Sequence, residues 1–484
     1  MKLREIIRNL EVLSMTADPE TEITGISYDS RVTEPGDLFA AWKGFTADGH
    51  RFIPMAVEKG ARAVLCETPP TDGTPYVQVA DCRGALAVAS RDFFGNPAGE
   101  MKLVGFTGTS GKTSSTLLLK HVLESVCGAK VGLIGTNGNM IGDELLHTEH
   151  TTPESYELHK LFRRMADAGC THVVMEVSSH SLHLERVAGI TFDVGLFTNL
   201  TQDHLDLHGT MEDYAAAKRK LFSQCRVGWV NADDAWAEFM AAGAACPILR
   251  YAAQCGNVEL RAENVCMTAS GVRFEAVCAE ERALTELAIP GSFSVYNALS
   301  VLAACRSLGL DLAACAAALG TAQGVKGRME TVPTDGDYSI LIDYSHKPDA
   351  LEKALKSLRP VTRGRLIVLF GCGGDRDRAK RPIMGAIAAE NADLCIVTSD
   401  NPRTEEPEEI IREILAGIDR EKYTVRVICD RAEAIRSAID LARPGDVILL
   451  AGKGHEDYQV VGREKRHMDE REIVAEYLEK RKRA

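Results

Sequence analysis

No apolar run in this chain of 484 residues approaches the ~20 residues that a membrane-spanning helix needs, which argues against membrane insertion. A secretion signal is also missing. The first residues, Met1-Lys-Leu-Arg-Glu-Ile-Ile-Arg8, break their apolar positions with charge, so a cytoplasmic protein is expected. Fourteen cysteines are present, yet they scatter from Cys66 to Cys429 without one Cys-x-x-Cys pair, and free thiols in a reducing compartment are the expectation. Basic charge is short as well: 56 Lys plus Arg stand against 69 Asp plus Glu, a net charge of −13. That balance excludes nucleic acid and anionic membranes as main partners and leaves small ligands reached by local basic groups. Internal repeats and low-complexity tracts are absent.

What remains is ordinary globular composition, 45% apolar and 26% charged. At roughly 150 residues per domain the length suggests about three domains. The breaker cluster Gly95-Asn-Pro-Ala-Gly99 marks a first boundary, and Gly324-Val-Lys-Gly327 a second. We therefore expect an α/β protein of three domains: 1–98, a small α/β domain; 99–326, a parallel-sheet domain of P-loop type; and 327–484, a Rossmann-like domain. The strand–helix alternation supports this, with strands expected at Arg62–Cys66, Lys102–Phe106, Val131–Ile134, His172–Val177, Ser339–Asp343, Leu366–Phe370, Leu394–Thr398 and Asp446–Ala451. Helices are expected at Ala85–Phe94, from Lys112, at Tyr296–Leu308 and at Asp349–Leu358, with a β-rich stretch from Arg250 to Pro290.

The sharpest chemical signal is Gly108-Thr-Ser-Gly-Lys-Thr113, placed between a strand and a helix. Gly108 and Gly111 let backbone N–H groups turn toward a phosphate, Lys112 adds a point charge, and Thr113 offers a hydroxyl to Mg²⁺. Phe106 stands where full Walker spacing requires glycine, so this is the shorter G-x-x-G-K-T form. Glu176 ends an apolar strand, which puts a hard oxygen ligand at a ligand-binding edge. His180 and the segment Asn199 to His208 add imidazoles and carboxylates close by in sequence.

Three loops of the last domain follow strands: Gly371-Cys-Gly-Gly-Asp-Arg-Asp-Arg378, Asp400-Asn-Pro-Arg403 and Gly452-Lys-Gly-His-Glu456. Arg376, Arg403, Asp400 and Glu456 present both signs of charge, which suits a zwitterionic ligand. Arg328 and Asp343 stand near the second boundary, as carriers of a phosphate contact or as structural hinge residues.

In this order the motifs resemble the Mur ligases of peptidoglycan synthesis over essentially the whole length. They are Asp29-Ser-Arg31, Gly108–Thr113, Thr151-Thr-Pro-Glu154, Glu176-Val-Ser-Ser-His180, Asn199–His208, Ala217-Lys218, Gly327-Arg328, Asp343-Tyr-Ser-His346, Asp400–Arg403 and Gly452–Glu456. The resemblance implies an ATP- and Mg²⁺-dependent amide ligase acting on small molecules. It would join meso-diaminopimelate to UDP-N-acetylmuramoyl-L-Ala-D-Glu through an acyl phosphate, as a monomer. By the same resemblance Gly108, Thr109, Ser110, Gly111, Lys112, Thr113 and Ser114 cradle ATP, and Asn297 and Asp343 contact its nucleoside. Arg328 contacts a phosphate, and Thr113, Glu176, His204 and Lys218, the last as a carbamate, serve Mg²⁺. Tyr28, Ser30, Phe45, Thr46, Ala47, Thr151, Thr152, Ser178 and Arg186 match the UDP-muramoyl-dipeptide contacts. Arg376, Asp400, Asn401, Pro402, Arg403, Gly452 and Glu456 match those to diaminopimelate. Ser345 and Lys347 replace the commoner alanine and threonine after Asp343, while Leu184 and Pro153 stand where some relatives carry glutamine and glycine. Arg403 can grip a distal carboxylate that lysine lacks. A lysine-adding or folate polyglutamate-type ligase is the nearest alternative, and a P-loop regulatory or transport ATPase the alternative from another class.

Overall fold

The computed structural model describes residues 1–44, 47–148, 150–268, 270–322 and 324–483. They divide into two compact units, Met1–Leu260 with Ser300–Asp311, and Arg261–Leu299 with Leu312–Ala484.

The first unit begins with a five-stranded sheet in the order Ser14–Met15, Tyr76–Gln78, Ala63–Cys66, Asp37–Ala41, Gly25–Ser27. The last four are parallel, and the short first strand closes the edge in antiparallel pairing. Leu3, Ile6, Leu38, Leu65 and Leu86 fill one face. The Cys82–Phe93 helix starts three residues before the expected Ala85, because Asp81 caps it by accepting from the Arg83 N–H.

A larger sheet follows. Within this unit its strands run in the order Ile248–Ala252, Cys225–Asn231, Phe192–Phe197, Lys102–Thr107, His172–Glu176, Val131–Ile134, Asn139–Ile141, Glu144–Leu146. The first six strands are parallel and the last two form an antiparallel meander. Val104, Val173, Val174, Met175 and Leu196 have no appreciable exposure, as expected of parallel strands covered on both faces. Lys102–Thr107 has the next strand in sequence, Val131–Ile134, to one side beyond His172–Glu176, and Phe192–Phe197 on the other side. The chain thus reverses its winding at this strand, and such a switch point leaves a crevice at the carboxyl ends. The Lys112–Cys127 helix springs from that crevice and stops at Gly128, which takes the left-handed conformation.

In the second unit the Gly271–Cys278 and Glu281–Leu287 strands form an antiparallel hairpin, and a six-stranded sheet runs Glu330–Val332, Ser339–Asp343, Val447–Ala451, Leu366–Phe370, Leu394–Val397, Val425–Val427. Only its first strand is antiparallel. The Arg431–Leu441 and Glu470–Arg483 helices cover one face through Ala434, Ile435, Ala438, Val474 and Leu478. The Pro348–Leu358, Lys380–Asn391 and Pro407–Leu415 helices pack on one another in series and are not part of that cluster, so they take the opposite face. The architecture is the expected α/β one, and strand boundaries fall within about one residue of the sequence reading. All fourteen cysteines are free. No described helix is long and apolar enough to cross a membrane.

Candidate active site

Gly108 opens the loop at the switch point with φ 146°, and a β-carbon there would lie 2.0 Å from Thr198 Oγ1. Only glycine fits that approach. A neighbouring strap then holds the loop. Asn199 accepts from the Ser110 N–H at 3.0 Å and donates its amide to the Ser110 carbonyl, also at 3.0 Å. Its own carbonyl accepts from the Thr109 N–H. Thr198 Oγ1 donates to the Ser110 carbonyl at 2.7 Å, and the Thr109 hydroxyl meets Thr201 and Tyr214. Asn199 was noted in the sequence only as part of a polar segment. Its pairing with Ser110 spans 89 residues and carries no local signal.

Two lysines converge on one carbonyl. Lys112 Nζ donates to Gly108 O at 2.7 Å, and Lys218 Nζ donates to the same oxygen at 2.8 Å. Lys218 is buried in the Met211–Arg219 helix with its ammonium 4.5 Å from the Tyr214 ring centroid. Burial first, and the Lys112 charge second, push its pKa well below that of an ordinary lysine.

Glu176 ends its strand almost fully buried and receives the Thr136 N–H at 2.8 Å and the Thr136 hydroxyl at 3.2 Å. Four residues matched to the dipeptide gather round this strand end. Thr136 and Thr151 hydroxyls lie 3.1 Å apart, Thr152 Oγ1 donates to Glu176 O at 2.8 Å, and the Ser178 N–H donates to Thr152 Oγ1. Arg186 donates to Thr152 O at 3.1 Å and pairs with Glu154 at 2.6 Å, while its buried Nε has no hydrogen-bond partner.

The imidazoles form a ring-to-ring cluster. His180 lies 4.7 Å from His204 and 5.9 Å from His208, and His183 lies 5.5 Å from His208, between ring centroids. Burial and then the neighbouring His183 and His180 hold His208 down to about 4. His208 Nε2 is 3.0 Å from Ser179 Oγ. His204 itself takes a left-handed φ of 53°. Among the described residues no three His, Cys, Asp or Glu side chains already converge as a ready-made metal cage. Thr113 and Glu176 carry oxygen donors of the kind a hard cation such as Mg²⁺ takes, and His204 stands in the imidazole cluster.

The first sheet carries a cavity of about 540 Å³ lined by Tyr28, Asp29, Ser30, Arg31, Trp42 and Ala47, among others. Tyr28 lies 5.9 Å from the Trp42 ring and donates to Glu157 at 2.9 Å. It also lines an adjoining cavity of about 410 Å³, which adds His150, Glu154 and Arg164. The sequence-matched Phe45 and Thr46 lie outside the described residues; Tyr28, Ser30 and Ala47 are brought together.

In the second unit the three charged loops follow three neighbouring parallel strands. Arg403 has φ 52°, with its N–H bonded to Val460 O, its carbonyl accepting from Gly462, and its guanidinium donating to Gly374 O at 2.8 Å. Asp400 is buried, and its carbonyl accepts from Gln459 at 2.6 Å. Asn401 donates to Glu456 at 2.9 Å. A β-carbon on Gly452 would lie 2.9 Å from Asp400 Oδ2. Buried Arg381 grips Glu405 and Glu413 at 2.8 Å each and donates to Gly373 O. Glu405 in turn accepts from the Asp375 N–H beside Arg376. Asp343, at the end of its own strand, accepts from the Met329 N–H at 2.8 Å and from the Ser345 hydroxyl. Burial raises its pKa. Ser345 therefore fixes a carboxylate that alanine would leave looser. The Arg328 guanidinium lies 5.1 Å from the Tyr344 ring centroid with its buried Nε unpartnered, a cation with donor capacity left for an anion. Asn297 is buried in the Phe293–Ser307 helix. Arg381 and Lys453, both fully buried, were not singled out in the sequence; each looks there like any surface cation.

A glycine loop at a switch point, with two lysines on its first carbonyl and a buried carboxylate on the next strand, defines a nucleotide-dependent α/β enzyme. Known proteins agree. Residues 22–95 match the Mur ligase family catalytic domain, 106–305 the Mur ligase middle domain, and 327–454 the Mur ligase glutamate ligase domain. The UDP-N-acetylmuramoyl-L-alanyl-D-glutamate–2,6-diaminopimelate ligase 1 of Clostridium acetobutylicum is 46% identical over 482 residues, 99% of each chain. The corresponding Clostridium botulinum ligase is 44% identical over 485 residues, again 99% of each. A solved structure of a UDP-N-acetylmuramoyl-L-alanyl-D-glutamate–2,6-diaminopimelate ligase superposes with a TM-score of 0.78 at 32% identity, covering 100% of this chain and 99% of that one. The chain belongs to the Mur ligase family.

Proposed function

We propose that this protein is an ATP-dependent ligase that joins an amino group of meso-diaminopimelate to the D-glutamyl carboxylate of UDP-N-acetylmuramoyl-L-Ala-D-Glu in peptidoglycan precursor synthesis. The observation that carries the reading is the second unit's loop cluster. Arg403, Arg376, Asp400, Asn401 and Glu456 present both charge signs at one sheet edge, in a chain whose near-full-length relatives bear that substrate in their names.

In this reading the Gly108–Ser114 loop and Lys112 hold the ATP phosphates, Arg328 meets a phosphate, and Asn297 and Asp343 meet the nucleoside. The UDP end of the other substrate lies in the Tyr28, Ser30 and Ala47 cavity, and its peptide end near Thr151, Thr152, Ser178 and Arg186. The glutamyl carboxylate attacks the γ-phosphorus and ADP leaves. The amine then attacks the acyl carbon, and inorganic phosphate departs from the tetrahedral intermediate as the amine loses its proton. The chain's share is positioning and charge neutralisation. Mg²⁺ would be held by Thr113, Glu176, His204 and carbamylated Lys218, and when bound it would neutralise phosphate charge. The buried, amine-favouring surroundings of Lys218 support its carbamylation. Arg403 would bind the distal carboxylate as a bidentate fork and Glu456 the ammonium beside it. The three matched stretches support domains at 1–98, 99–326 and 327–484, and the reading carries with it a cytoplasmic monomer without nucleic-acid partners.

The test is phosphate release from ATP with UDP-muramoyl dipeptide, comparing meso-diaminopimelate with L-lysine and running Arg403→Ala in parallel. Turnover with diaminopimelate alone, lost in the variant, is expected. Turnover with lysine overturns the substrate, and phosphate released without any amino acid overturns the ligase.

A further inference from the structure

Behind the loop cluster lies an ammonium group with no route to water. Lys453, set between two glycines just after the Val447–Ala451 strand, has a side chain of 0% exposure. Its Nζ donates to Asn401 Oδ1 at 2.9 Å and to Glu456 Oε2 at 3.0 Å, and lies 5.5 Å from the Tyr458 ring centroid. Asn401 Oδ1 accepts a second bond, from the Val460 N–H at 2.9 Å. With that oxygen doubly engaged, the amide can stand only one way round, and its Nδ2 donates to the same Glu456 Oε2 at 2.9 Å. One oxygen of Glu456 therefore carries two donors, and Oε1 is left to meet a ligand.

A buried ammonium is costly unless every bond is made. The arrangement is thus informative about the pocket rather than about stability. We infer that Lys453 is a positioning residue that sets the choice of amino acid, by locking Asn401 and Glu456 together and offsetting part of the Glu456 charge. Glu456 so restrained is too weak to hold an ammonium alone, and binds one only when Arg403 takes the carboxylate next to it. Released from Lys453, Glu456 regains full charge and rotational freedom, binds the doubly charged end of diaminopimelate less well, and accepts the lone ammonium of lysine more readily. The inference rests on the amino-acid reading of this pocket proposed above.

Steady-state phosphate release by Lys453→Met tests it. The KM for meso-diaminopimelate is expected to rise about ten- to a hundredfold, the effect of losing a charged hydrogen bond. KM for ATP and for UDP-muramoyl dipeptide should stay put, with kcat within about threefold. The preference for diaminopimelate over L-lysine, as a ratio of kcat/KM, should drop about tenfold or more. On a Glu456→Gln background the lysine substitution should add little, because it acts through Glu456. Lys453→Gln keeps a donor in an uncharged chain and stands in should the methionine variant not fold; an intermediate KM is expected. An unchanged diaminopimelate KM, additive effects on the Glu456→Gln background, or all three KM values rising together in both variants overturns the inference. Wild-type protein inert toward diaminopimelate overturns the pocket reading itself, and the inference with it.

Discussion

Arg381 ties the Gly371–Arg378 loop to Glu405, just after Arg403, and its removal has a calculable cost. The side chain is 0% exposed, contacts both oxygens of Glu405 and one of Glu413, and reaches Gly373 O. Removing one partner of a buried ion pair typically costs 3–5 kcal/mol, because the other charge is left unpaired. Here water reaches part of the 20% exposed Glu405 and the 29% exposed Glu413 side chains, which lowers the expectation for Arg381→Met to about 2–3 kcal/mol. By calorimetry that is roughly 5–10 °C in the transition of the unit concerned. The pH dependence gives a second reading. Arg381 holds the Glu405 carboxyl down to about 2, so this stabilisation is complete above the ordinary glutamate range and is lost as pH falls toward 2. The gap between wild type and variant should therefore be full at pH 7 and shrink steadily between pH 4.5 and 2.5. Since Glu405 also receives the Asp375 N–H, the variant should bind diaminopimelate more weakly. A melting point within 1 °C of wild type, or a gap that does not change with pH, would refute the reasoning.

Other outcomes follow from the same geometry. His159 is fully buried with neither ring nitrogen hydrogen-bonded, and burial holds it down to about 3. The unfolded chain takes up a proton near 6.5 that the folded chain refuses, so His159→Leu should remove about 2 kcal/mol of the stability lost between pH 7 and 5, measured by denaturation at both pH values. Asn199→Ala strips the strap from the Gly108 loop and should raise the KM for ATP about tenfold without altering the melting point by more than a few degrees. Arg403→Lys keeps the charge but loses the fork, and should cost about tenfold or more in kcat/KM for diaminopimelate while leaving ATP affinity unchanged by calorimetric titration. Tyr28→Phe loses the bond to Glu157 and should weaken UDP-substrate binding severalfold, read by fluorescence titration.

Local pattern was enough for much of this protein. Leu366-Ile-Val-Leu-Phe370 is continuous, apolar, too short for a typical helix and bounded by glycines on either side, which favours a strand buried on both faces. Gly108-Thr-Ser-Gly-Lys-Thr113 between a strand and a helix reads as a candidate phosphate loop, because glycine there serves a backbone conformation that few residues adopt. The three charged loops were legible for the same reason: each comes directly after such a strand, where a parallel sheet exposes its ligand edge. Tertiary structure alone decided which of these pieces meet. No short-range preference brings Asn199 to Ser110, Asn401 to Glu456 across 55 positions, or Lys218 to Gly108 across 110. Those pairings depend on strand order, which is set by how whole faces pack. Burial belongs with them. Nothing local in the sequence marks Lys218, Arg381 and Lys453 as buried, and their chemistry comes from being taken out of water, which happens only when distant segments close over them.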